Sequence, residues 1–261
     1  MTTEGKKPVS SVAIALVVFC CSFGAAILGM VLHVRLPDDH WDPDSRDVVK
    51  LVMGLIATMA ALVLSLLVAS ANSTYDRQSS ALKVFSADIL LLDRTLQLYG
   101  PGAKEARDDL RDVVSQTHDR IWSPEGVRPE NLNSKETRSS AKALVERLLS
   151  LTPTTDAERM MQSRAVQESE SISKSRLLMV EELGSAIPWP FLTVLVFWIC
   201  VLFLGFGLFA RFNATVIMAM LVGALSVAGA IFLILELNQP YTGLMRISDA
   251  PWRSAMVQID Q

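Results

Sequence analysis

Apolar residues along the chain gather into four long runs, about Ser11–Val34, Val48–Ala71, Ile187–Ala210 and Ala214–Leu237, two on each side of a polar middle. Each run is near or above the ~20 residues that carry an α-helix across ~30 Å of hydrocarbon. Each is almost free of charge inside. The pattern predicts an all-α membrane protein, with four transmembrane helices, two plus two, flanking an all-helical section. The expected order is an N-terminal segment 1–10, helices one and two within 11–71, the helical section 72–186, helices three and four within 187–237, and a tail 238–261.

The polar middle keeps a helical rhythm of its own. Leu82, Phe85, Ile89, Leu92 and Leu96 follow one another at gaps of three and four, which is one apolar stripe on a helix. Helix two is therefore expected to run past the bilayer, until Tyr99-Gly100-Pro101-Gly102 stops it. A second amphipathic helix is expected over Ala103–Ile121 and a third over about Ser134–Leu151, with a loop at Ser123-Pro124 and Pro129 between them. Thr155 with Glu158 three residues on is a capping-box pattern, so another helix starts there and runs to Leu183. Gly184, Pro188 and Pro190 redirect the chain into helix three, and Trp189 falls where an interfacial aromatic is expected. The tail reads as irregular, with one short helix near Pro251–Ile259.

Composition agrees: hydrophobic residues make up 51% of the chain, and a formal net charge of −3 gives no electrostatic reason to expect nucleic acid. Lys6 and Lys7 before an apolar run resemble a signal peptide, but the run is longer than a ~7–15-residue signal core and no small-residue cleavage site follows, so the first run is read as a retained membrane helix. Lys6, Lys7, Arg246 and Arg253 sit beside helix ends on one side, while the loop Arg35–Asp47 is rich in aspartate and the loop after helix three carries only Arg211. That bias places both termini and the polar section in the cytoplasm, with the protein in a bacterial inner membrane. Cys20, Cys21 and Cys200 lie inside apolar runs and read as small buried hydrophobes, which leaves no disulfide framework. His33, His40 and His118 share no ligand spacing, so no metal or other cofactor is expected.

Helix two has a second face. Gly54, Thr58, Ala61, Ser65, Val68 and Asn72 fall at gaps of four and three, a small and weakly polar strip along a membrane helix. Small residues let helices pack closely in lipid, or they line a path for water and ions. The strip alone favours packing. A similar face on helix four, Ala219, Gly223, Ser226 and Ala230, is read as packing. Glu236 closes an apolar run, and an acid at membrane depth is costly and often functional. It stands either at that depth or at the interface, hydrated or paired with a base such as Arg246. Asn213-Ala214-Thr215 matches a glycosylation sequon but places Asn213 as the N-cap of helix four. With no phosphate-binding glycine loop, nucleophile elbow or paired carboxylates, an enzyme is not expected.

Several blocks carry a resemblance: Gly54-Leu55-Ile56-Ala57-Thr58 through Asn72-Ser73-Thr74-Tyr75-Asp76, Ala87–Arg94, Pro190-Phe191-Leu192, Phe203–Leu208, Ala224–Ala230, and Leu235-Glu236-Leu237-Asn238-Gln239-Pro240-Tyr241. Through them the chain resembles the bestrophin-like family of bacterial integral membrane proteins, distantly related to bestrophins. The match spans nearly the whole chain and is weakest at about Ser123–Thr155. The resemblance implies a pentameric anion or cation channel, with second membrane helices around a central pore and long helices forming a cytoplasmic vestibule. Two features depart from it. The calcium-binding acidic cluster of animal bestrophins has no match, and the region corresponding to their bulky hydrophobic neck, Gly54–Val68, holds smaller residues.

Two functions fit. One is a homo-oligomeric ion channel in the lipid bilayer, lined by Gly54, Thr58, Ala61, Ser65 and Asn72, with Glu236 near the cytoplasmic mouth. The other is a non-conducting scaffold or signalling module whose cytoplasmic helices bind a partner.

Overall fold

The computed structural model describes residues 10–35, 43–122, 135–183, 189–210, 212–239, 241 and 243–259. Among these the ordered elements are helical: α1 (Ser11–Arg35), α2 (Pro43–Tyr99), a 3₁₀ turn (Pro101–Ala103), α3 (Lys104–Ile121), α4 (Lys135–Ser150), α5 (Asp156–Leu183), α6 (Trp189–Phe209), α7 (Ala214–Leu237) and α8 (Ala250–Ile259). α1, α2, α6 and α7 are each long and apolar enough to cross a membrane. The protein is thus an all-α membrane protein with four such helices. The loop expected around Pro124 and the break at Gly184 and Pro188 lie outside the described residues.

Local chemistry explains where the helices start and stop. α2 opens one turn earlier than the apolar run suggests, at Pro43, whose fixed φ suits a first turn. It continues without interruption to Tyr99. Gly100 then adopts φ +98°, a conformation that costs glycine little and other residues much. The box at α5 is present in both directions: the Glu158 amide donates to Thr155 Oγ1 at 3.2 Å, and the Thr155 amide donates to the Glu158 carboxylate at 3.3 Å. Asn213 caps α7, its Oδ1 accepting from the Thr215 amide at 3.4 Å.

The chain divides into two units, residues 1–72 with 187–238, and residues 73–186 with 239–261. In the first, the membrane unit, the closest approach is between α1 and α6. A Cβ at Gly29 would collide with the Leu204 carbonyl, and one at Gly207 with the Ala26 carbonyl. Ser22 and Ala26 continue that strip and are fully buried, and the Cys200 thiol lies beside the Ser22 hydroxyl. Pairs 22–200 and 29–207 share one offset, so α1 and α6 run parallel. Absent side chains let two helix backbones meet, which is how helices associate where lipid removes the hydrophobic drive.

The second, polar unit encloses an apolar core. Leu82, Phe85, Ile89, Leu92 and Leu96 of α2 are all buried, together with Leu110 and Val114 of α3, Leu148 of α4, Met179 of α5 and Trp252 of α8. Trp252 is fully enclosed, its ring 5.3 Å from Phe85 and 5.8 Å from Trp122. α8 is also held at its end. Arg111 Nε donates to the Ile259 carbonyl at 3.1 Å, and Arg107 Nη2 does so at 3.3 Å. Asp93, itself buried, fixes Arg107 through a 2.8 Å ion pair. Burial pushes the Tyr241 phenol well above its ordinary pKa.

Candidate functional site

The membrane part of α2 touches its own unit along a narrow seam. Met53, Ala60, Leu67 and Ala71 are the buried positions. At 3.6 residues per turn they lie roughly a third of a turn away from the small-residue strip. Gly54, Thr58, Ala61, Ser65 and Asn72 are every one exposed in the isolated subunit. The strip therefore does not serve packing inside the chain. It faces lipid, water or another subunit.

The strip is open rather than crowded. Nothing stands within 4 Å of where a Cβ on Gly54 would point. Beside it, Lys50, Gly54 and Ala57 border an open recess of about 370 Å³ with Phe206 and Phe209 on the other wall. The Thr58 hydroxyl donates to the Leu55 carbonyl at 2.7 Å, so its oxygen turns lone pairs outward. Around the strip stand large exposed residues, Leu51, Leu55, Leu62 and Leu66. A surface of that kind suits hydrocarbon or a partner helix and is ruled out for a soluble protein by its apolar extent. The strip itself breaks this apolar surface with two hydroxyls and an amide.

Glu236 is buried at the last turn of α7, where its carbonyl accepts from the Asn238 amide. Arg246, the base considered for it, donates its Nε to the Gly243 carbonyl at 3.2 Å. On α7 the small-residue face is covered only in part within the subunit, with Gly223 and Ala230 half-buried. Ala219 and Ser226 are exposed, and the buried face is Ala224, Ala228 and Ile231, with Gly223 in contact with Phe203. Cys20 and Cys21 are exposed rather than buried, while Cys200 is half-buried. An outward apolar side chain costs nothing in lipid, so an apolar run there does not imply burial. Among the described residues no group of three or more His, Cys, Asp or Glu side chains could hold a metal ion.

The bestrophin-like domain family matches residues 20–252, from α1 through the start of α8. The chain belongs to the bestrophin-like family. Two point variants of a bacterial bestrophin homologue from Klebsiella pneumoniae are similar to this bestrophin-like chain in structure, each with a TM-score of 0.66 and 12% identity, over 94% of this chain and 97% of theirs. A further solved membrane protein is similar at the same TM-score and identity, over 95% and 97%. At that identity the likeness establishes the fold. No curated protein matches the chain in sequence.

The residues missed in the sequence are those of the α1–α6 seam. Ser22, Ala26 and Gly29 stand at gaps of four and three, the same signal that drew attention to α2. What the spacing does not tell is which of several small-residue strips meets another helix.

Proposed function

We propose that this bestrophin-like protein is the subunit of a homo-oligomeric ion channel, a pentamer by resemblance, and not an enzyme. Gly54, Thr58, Ala61, Ser65 and Asn72 of α2 line a central pore. Glu236 is an interfacial acid near its cytoplasmic mouth. The section 72–186, the segment 1–10 and the tail 238–261 lie in the cytoplasm, the helices of 11–71 and 187–237 in a bacterial inner membrane. One observation carries the reading: the most polar strip of any membrane helix here is left exposed by its own subunit. One subunit of four membrane helices has no room to enclose a pore, so a ring of copies must supply the other walls. The parallel course of α1 and α6 supports the topology, because it puts the start of the chain and the entry into α6 on one side.

The scaffold reading keeps one observation in its favour. On the polar-unit part of α2, Val84, Leu91 and Leu98 are exposed at gaps of seven, an apolar strip that asks for a partner. The test is ion flux through purified protein in planar bilayers under asymmetric potassium chloride. We expect discrete currents, abolished by Ser65→Trp and by Thr58→Trp. Flux unchanged by either substitution would remove the pore assignment, and silence from folded oligomers would move the balance to the scaffold.

A further inference from the structure

Two exposed faces of the polar unit complement each other. On α2, Val84, Leu91 and Leu98 are exposed at gaps of seven. Lys83 and Arg94 accompany them, eleven positions apart, which is about three turns, so both cations point to that side of the helix. On α5, Leu177 and Leu178 are exposed. Glu170 and Glu181 accompany these, again eleven positions apart and on one side. All four charged side chains are exposed. Among the described residues none of the four has an ion pair or a hydrogen bond. One face thus offers two unmatched cations around apolar residues, and the other offers two unmatched acids at the same spacing.

Pairs inside the unit set the relative heights of the two helices. Gln78 Nε2 donates to the Glu182 carbonyl at 3.1 Å, and Ser175 Oγ donates to the Asp88 carboxylate at 2.6 Å. Within the polar unit α2 and α5 therefore run antiparallel. By that register Val84 is about level with Leu177, and Ala87 with Lys174. Lys83 stands within about one turn, ~5.4 Å, of the height of Glu181, and Arg94 within about one turn of Glu170. In a closed ring every copy stands at the same height on the axis, so contacts across a boundary join groups of equal height. With α2 running along that axis, Val84 meets Leu177, and each cation comes within side-chain reach of one acid. Lys174, the cation of the α5 face, meets Ala87, which is uncharged. Beside Leu91 and Arg94 an open recess of about 530 Å³, bordered also by Gln258, leaves room for an incoming side chain.

We infer that the α2 face of one copy, with Lys83, Val84, Leu91 and Arg94, docks on the α5 face of the next copy, with Glu170, Leu177 and Glu181. The inference rests on the homo-oligomeric channel reading and names the surfaces that join its subunits. The two faces are different surfaces of one chain, which is the heterologous contact a ring requires. Apolar residues supply affinity, and the charges fix register and direction. The exposed strip on α2 is then covered by a second copy rather than by an unrelated protein.

The experiment measures the mass of full-length protein in detergent by light scattering during dilution, with far-UV circular dichroism as the check of folding. Wild-type protein should be oligomeric. Arg94→Glu alone and Glu170→Arg alone should each raise the concentration at which subunits separate by about tenfold, because like charges then face each other. The two substitutions together should restore assembly, since the swapped pair attracts again. Leu177→Glu should weaken assembly in the same way. In a chain whose native cysteines are replaced by serine, Arg94→Cys with Glu170→Cys should give a ladder of linked subunits with a short bis-maleimide, and neither single cysteine should. A wild-type oligomer that keeps its mass through Arg94→Glu and Leu177→Glu overturns the inference, leaves the homo-oligomer standing and frees the α2 strip for a different partner. Weakened assembly that the paired swap does not rescue, or linkage confined to single chains, overturns it as well. A folded wild-type monomer overturns both the inference and the homo-oligomer on which it rests.

Discussion

Leu62 and Leu92 belong to the same helix and meet opposite surroundings. Leu62 is 68% exposed and Leu92 is 0% exposed. Both lie on an unbroken α2, yet the first stands in the membrane unit and the second in the polar unit. In water, apolar surface is driven inward, so the polar-unit part of α2 shows one buried stripe at gaps of three and four. In lipid that drive is absent. Leucine is then free to face outward, and what holds helices together is close backbone approach at small residues, as at Gly29 and Gly207. The difference teaches that the same residue type means burial in one half of the helix and exposure in the other.

The sharpest break of this comparison is truncation of each leucine. Leu92→Ala removes a fully enclosed side chain and should cost about 2–5 kcal/mol, spread according to how far the site collapses. Leu62→Ala leaves no cavity within the subunit and should cost less than about 1 kcal/mol in a monomer. Hydrogen exchange of α2 and α3 amides in detergent reads the first, and thermal unfolding reads both. Equal losses would mean that Leu62 is covered by something other than solvent, and the covering partner would be a second copy.

Much of this arrangement was legible along the chain. Helix α7 occupies the expected Ala214–Leu237, and α2 runs on to Tyr99 as its stripe implied, because solvent contrast and a Gly-Pro terminator are local signals. The cap at Asn213 and the box at Thr155 are local too. The seam at Gly29 was not legible, because several small strips exist and spacing cannot say which two meet. The latch on α8 was hidden for another reason. Arg107 and Arg111 bind the backbone carbonyl of Ile259, and a carbonyl leaves no trace in residue identity. Of the candidate site, the spacing identified the strip on α2, while its exposure depended on which face the other helices cover.

A smaller effect separates the two kinds of small residue within the membrane unit. Gly29→Ala places a methyl group against the Leu204 carbonyl and 2.8 Å from the Leu208 amide nitrogen, both backbone, so α1 or α6 must move. The cost of such overpacking is about 1–3 kcal/mol. Gly54→Ala meets open space and gains helix propensity, so it should be neutral or stabilising by up to about 1 kcal/mol in a monomer. The same substitution then has opposite signs on two neighbouring helices, read by thermal unfolding in one detergent. If Gly54→Ala is instead costly only in the assembled protein, the strip packs against another subunit rather than facing water.

The smallest expected effect lies in the polar unit, at the start of α5, where stability is electrostatic rather than apolar. The Glu158 carboxylate is held below its ordinary pKa, first by the Thr154 amide at 2.6 Å, then by the Thr154 hydroxyl at 2.9 Å and the Thr155 amide. A depressed carboxylate pKa stabilises the fold when pH lies above the unfolded value, and the contribution is lost as pH falls through the folded value. The loss should therefore set in below the ordinary glutamate value of about 4.3. Glu158→Gln keeps the shape and removes the charge, so it should lower stability slightly at neutral pH and flatten the acid dependence of exchange in the first turn of α5. The group is fully exposed to solvent, so salt should weaken the difference between the two proteins. Leu62, in the membrane unit, should show neither dependence. A pH response of equal size in Leu62→Ala and wild-type protein, but absent in Glu158→Gln, would assign the acid sensitivity to this one helix start.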